Sequence, residues 1–114
     1  MKHLEYIIIG IALLLFASCG QQQQAKSVVK DFVEQQLHQD VSYLDFSDVD
    51  STRVLSDSII QAMRGRAEKS IHYQPYQGKT LMHIRVQYLL DKDTCSATFY
   101  LDKQMTGVIA FKRN

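Results

Sequence analysis

The sequence predicts a small α+β domain. Two helices come first and pack on an antiparallel meander of three strands, or four if a short edge strand joins. Three observations predict this. Apolar residues recur at helical spacing over 25–37 and again over 54–67. From Met82 to Leu101 the period changes to two. Short polar turns separate the alternating runs, as an antiparallel meander requires.

In the first helix, Ala25, Val28, Val29, Phe32, Val33 and Leu37 form one stripe, with Lys26, Lys30, Asp31 and Glu34 on the other faces. The spacing predicts a helix from about Gln24 to His38. Val41 to Asp50 mixes Tyr43, Leu44, Phe46 and Val49 with aspartates and reads as a loop. Asp50-Ser51-Thr52 then supplies a helix cap. Val54, Leu55, Ile59, Ala62, Met63 and Ala67 form the second stripe, ending near Gly65 to Ser70. Arg64, Arg66 and Lys69 sit in its last turns, where cations complement the helix dipole.

Ile71 to Gly78 contains Pro75 and reads as a link, with Ile71 to Gln74 as the optional edge strand. Met82, Ile84, Val86, Tyr88 and Leu90 then alternate with polar neighbours. Asp91-Lys92-Asp93 turns, and Cys95, Ala97, Phe99 and Leu101 continue the apolar parity. Lys103 to Gly107 turns again, and Val108 to Lys112 forms the last strand. One sheet face is apolar, and the two helices are available to cover it. This order resembles the shorter cystatin-like and NTF2-like α+β folds over residues 25 to 112. The resemblance is one of architecture, without a shared motif, and such folds often hold a pocket between helix and sheet.

The chain has 114 residues and a formal net charge of +1, with 13 Lys+Arg against 12 Asp+Glu. That balance argues against a nucleic-acid partner. Two cysteines are too few for a disulfide scaffold or a thiolate zinc site. The hydrophobic share of 46% is too high for a disordered chain.

The first residues read as an address. Met1 to Tyr6 is polar and weakly basic, Ile7 to Phe16 carries no charge, and Ala17-Ser18-Cys19-Gly20 are small. This is the three-part plan of a secretory signal. The apolar run is about half of the roughly 20 residues that span a bilayer core. Leu15-Phe16-Ala17-Ser18-Cys19 resembles the lipobox of bacterial lipoproteins, with Phe16 where the family usually has Leu. The resemblance implies a signal peptide over 1–18 and a diacylglycerol on Cys19. Gln21 to Gln24 are uncharged and read, with the lipidated Cys19, as a tether over 19–24; with no internal repeat and no Pro/Gly/Ser linker, residues 25–114 read as a single domain. Acyl chains on one residue anchor stably when there are two or more, at about 0.8 kcal/mol per buried methylene. Gly20 after the Cys implies the outer membrane. Gln21 to Gln24, in place of an acidic run, implies its periplasmic side.

Candidate chemistry is sparse. Cys95 is either a reactive thiol or a small buried residue sharing the parity of Ala97 and Phe99. Asp45, Asp48, Asp50 and Asp57 cluster, but a calcium loop begun at Asp48 has Arg53 and Ile59 where Gly and Glu belong. His72 and His83 lie at the two ends of one connection, and a metal would need Asp91 or Asp102 as well. No Gly-rich phosphate loop and no serine nucleophile elbow appears. No cofactor or metal site is expected.

The polar parity of the meander is the best interaction candidate. It carries His83, Arg85, Gln87, Ser96, Thr98, Tyr100 and Lys112, either as a plain solvated face or as a binding surface. Tyr73 and Tyr76 flank Pro75 and either contact a partner or cap the core edge. The expectation is a non-enzymatic lipoprotein: a membrane anchor, a periplasmic protein partner, and a homodimer through the free face as a further form of association. The alternative is a small-ligand binder or hydrolase-like enzyme with a pocket between helices and sheet.

Overall fold

The computed structural model describes residues 20–52, 55–76 and 78–114. Residues 1–18 and Cys19 lie outside it, as do Arg53, Val54 and Gln77. Over the described residues the chain is α+β, with one long helix, one short helix and an antiparallel sheet of five strands that does not close.

Helix α1 runs from 20 to 37, and its last turn, Val33–Leu37, is π-helical. It stops at His38, which takes a left-handed φ of 53° and returns its N–H to the Val33 carbonyl. The expected stripe is the buried one: Ala25, Val29, Phe32 and Val33 all face the core. The residues expected to form a tether are helical, however. Gln21 to Gln24 belong to α1. Gln22 Nε2 donates to Ser47 O at 2.8 Å, and Gln22 Oε1 accepts from Val49 N at 2.8 Å. Gln24 Nε2 donates to Met105 O at 3.0 Å. Composition suggested a solvated spacer, but amide side chains also bond backbone when a loop lies beside them.

The segment expected to be a loop is the largest correction. It forms strands β1 (Ser42–Phe46) and β2 (Asp50–Thr52), both paired with β3 (Leu81–Leu90). They are two pieces of one edge, joined where Ser47 N donates to Arg85 O at 2.8 Å and Ser47 Oγ accepts from Arg85 N at 2.8 Å. Strand β4 (Asp93–Leu101) follows across the Asp91-Lys92 turn, and β5 (Val108–Arg113) completes the order β1-β3-β4-β5. Asp91 has φ 57°, a conformation Asp tolerates better than most residues. The outer position next to β3 is thus filled by 42–52. Ile71 to Gln74 instead runs past β5, with Gln74 N donating to Val108 O at 2.8 Å.

Helix α2 (Asp57–Gly65) begins later than expected. Ser56 caps it, its side chain accepting from Ile59 N, while Asp50-Ser51-Thr52 lies in β2. The buried stripe also differs from the expected one. Ile60 and Met63 go inside, and Ile59 and Ala62 stay exposed.

The two helices do not share a face. Val29, Phe32 and Val33 of α1 pack with Ile84, Val86, Phe99 and Phe111. Ile60 and Met63 of α2 pack with Leu81, Ile109 and Ala110. Leu81 has the parity of His83 and Arg85, and Ala110 pairs with Tyr100, so this second cluster lies on the opposite side. A bulge at Ile109, between the pairs Leu101–Val108 and Tyr100–Ala110, brings Ile109 and Ala110 into the same cluster. α1 covers one whole face; α2 covers one end of the other.

Candidate partner-binding face

On the face opposite α1, three cross-strand rows lie between the α2-covered Thr52–Leu81 pair and an outer row of Ser42, Leu89 and Thr94. The middle row runs Ser47, Arg85, Thr98, Lys112. One flanking row runs Asp50, His83, Tyr100, Ala110. The other runs Asp45, Gln87, Ser96 and then Asn114, whose N–H extends the ladder to Ser96 O at 2.9 Å. Neighbouring strands sit about 4.8 Å apart, so Arg85 and Lys112 are separated by about 10 Å, with a hydroxyl between them.

Local bonds hold this surface in place. Arg85 Nε donates to Ser96 Oγ at 3.2 Å, and Asn114 Nδ2 donates to Ser96 Oγ at 3.1 Å. The rings of His83 and Tyr100 lie 6.3 Å apart. Arg85, Gln87 and Lys112 are exposed. The face is therefore basic along its middle row, with the carboxylates of Asp45 and Asp50 on the β1/β2 flank. Sequence reasoning found His83, Arg85, Tyr100 and Lys112 but missed Asp45, Asp50 and Asn114. The first two became visible only once 42–52 was a strand.

The other candidates are placed elsewhere. Tyr73 stands on the α1 side, its ring 5.8 Å from Phe32 and under the Arg64 guanidinium at 5.0 Å. Tyr76 packs in the α2 cluster, and its hydroxyl donates to Leu55 O. Both cap the core, on opposite sides of the sheet. Burial raises the pKa of Tyr43, Tyr73 and Tyr88. The hydroxyls of Tyr43 and Tyr73 have no hydrogen-bond partner among the described residues, and nothing in the structure explains this.

Cys95 is half-buried against the α1 core, with its thiol directed to Asp93 O at 3.8 Å. His72 lies beside α1, where its N–H donates to Gln36 Oε1 at 2.9 Å, whereas His83 is on the opposite face. The two histidines are not brought together. No group of three or more His, Cys, Asp or Glu converges among the described residues. No described helix is long and apolar enough to cross a membrane.

An open hollow of about 410 Å³ lies along α1, where Val28, Phe32 and Gln36 face Tyr73 and Val108. The void lined by Val33, Leu37, Tyr43, Tyr88 and Phe99 measures about 10 Å³, at the lower limit for a single water. A larger open hollow lies at the end of the sheet near Lys79, Asp102 and Lys103. Asp102 is already engaged there. Its carboxylate accepts from Thr106 N at 2.8 Å, Gly107 N at 2.9 Å and the Thr106 hydroxyl, and so holds the β4–β5 turn. Asp102→Ala is expected to lower stability by about 2 kcal/mol, because two backbone donors lose a charged acceptor. Denaturant melting measures this, and an unchanged midpoint would mean that water replaces the carboxylate without loss.

Comparison of the chain with known protein families, curated proteins and solved structures finds no match.

Proposed function

We propose that this chain is a lipid-anchored envelope protein whose small domain binds a protein partner through the open sheet face centred on Arg85. The anchor is Cys19 at the end of the leader pattern, on the periplasmic side of the outer membrane. The domain contributes recognition and no chemistry of its own.

The observation that carries the reading is the row Arg85, Thr98, Lys112. Two cations stand on a rigid sheet, spaced by a hydroxyl, on a face that α2 covers only at its other end. Arg85 is already oriented by Ser96, so less side-chain freedom is lost when a partner carboxylate meets it. The complement is an acidic segment flanked by groups that tolerate Asp45 and Asp50.

The test places a photo-crosslinking residue at Gln87 in the full chain in its native membrane. A defined crosslinked species is expected, lost in Arg85→Glu with Lys112→Glu and retained in Lys92→Glu at the distant turn. Equal capture by the charge-reversed face would remove it as the binding site. The intact mass of the membrane-extracted protein checks the anchor separately. Residues 19–114 plus a diacylglycerol and an acyl chain are expected.

A further inference from the structure

The basic row of the open face ends at a hollow. Lys112, its last member, lines a space of about 240 Å³ together with Met63, Arg66, Ala67, Phe111 and Arg113. Met63 belongs to the α2 cluster and Ala67 packs against the α1 core, so the chain passes the edge of β5 here. The floor is apolar, because Met63 and Phe111 are buried and Ala67 is half-buried. A cavity of about 150 Å³ already holds a benzene, so this space admits a leucine-sized side chain.

The rim is cationic. Arg66 and Lys112 are exposed, and neither has a carboxylate within ion-pair distance among the described residues. Arg113 is already engaged. It pairs with Glu68 at 3.1 Å and lies over the Phe111 ring at 5.0 Å, which makes it a fixed wall. The complement of such a site is apolar at its tip and acidic beside it. Arg85 stands about 10 Å back along the row from Lys112, the reach of about three residues of extended chain.

We propose that this hollow seats one leucine-sized side chain of the acidic segment bound by the open face, directly after the carboxylate that meets Lys112. The inference rests on the open-face reading and adds the partner's anchor residue to it. A second copy of the chain offers Leu44, which is 51% exposed and next to Asp45. That contact would be head-to-tail and would leave the same surfaces open on each copy, so a separate protein is the better occupant.

The experiment measures binding of labelled Glu-Ser-Ser-Glu-Leu amide to the full chain by fluorescence anisotropy, beside the same peptide ending in alanine. The leucine peptide is expected to bind about tenfold more tightly. Arg85→Glu is expected to weaken both peptides and keep that ratio. Ala67→Leu, which fills the hollow, is expected to remove the preference, with thermal melting as the check that it folds. Arg66→Glu, at an exposed position, is expected to weaken the leucine peptide without disturbing the core. A photoreactive leucine in the peptide is expected to crosslink to 63–67 or 111–113. Equal affinity for the two peptides, or crosslinks confined to other segments, overturns the seat and leaves the open face standing. Unchanged affinity in Arg85→Glu with the leucine preference intact overturns the open face, and the joint segment with it. Absence of binding to the unaltered chain overturns this occupant, while crosslinking from Gln87 still decides the open face. Sedimentation showing assemblies that Leu44→Glu dissolves assigns the hollow to a second copy and overturns the proposal.

Discussion

Phe99→Ala is expected to remove about 3–5 kcal/mol of stability, the range for truncating a buried aromatic side chain. Phe99 is 2% exposed and stands at the centre of the sheet. Its ring stacks on Phe111 at 5.6 Å and meets Phe32 edge-on at 6.1 Å, while Phe32 and Phe111 are 5.5 Å apart. The three rings join α1, β4 and β5. Deleting the middle one leaves a void whose lining comes from three elements, so no single side chain can relax to fill it. Total stability for a domain is about 5–15 kcal/mol, so a large share of it goes. Urea unfolding measures the loss as a lower midpoint at constant slope. A loss under about 1 kcal/mol would show that the ring cluster is not the centre of the core.

Arg64→Ala is expected to lower stability by about 2–3 kcal/mol, and Arg64→Lys by about half as much. Arg64 is in the last turn of α2, where it donates from Nε to Ile109 O at 2.9 Å and from Nη2 to Gln74 O at 2.9 Å. The same guanidinium lies 5.0 Å from the centre of the Tyr73 ring. One side chain therefore ties α2, β5 and the 71–76 segment together. Alanine leaves two carbonyls without their donors. Lysine keeps the charge but lacks the planar fork that reaches both. Equal melting of the two variants would mean that charge alone matters and the fork does not.

Much of this fold was legible in the sequence. The buried stripe of α1 follows from the spacing of Ala25, Val29, Phe32 and Val33. The β3–β4 hairpin follows from two alternating runs, Ile84 to Tyr88 and Cys95 to Leu101, on either side of the Asp91-Lys92 turn. Two features were not legible for physical reasons. In β1, the pairing shifts between Tyr43 and Asp45, so Leu44 breaks the period of two on which strand recognition depends. The placement of α2 on the second face left only a faint trace. Leu81, Tyr100 and Ala110 are apolar or amphipathic residues on an otherwise polar parity, confined to one end. Of the open face, the β3 and β4 contributions were readable from parity. The acidic flank was not, because register across strands is a long-range property.

The broken rim of the sheet bears on how copies of this chain coexist. Along β1 and β2 the outer ladder is interrupted by the shift at Leu44 and by Ser47, and it carries Asp45, Asp48 and Asp50. A straight, uncharged rim would offer consecutive backbone donors and acceptors to the same rim of a neighbour. Here the neighbour would meet short, misaligned stretches and like charges. High local concentration multiplies such encounters, and the mismatched, like-charged rim disfavours growth into ribbons. Self-association, where it happens, is left to the face and its side chains, which a single substitution can tune without touching the hydrogen-bonded frame.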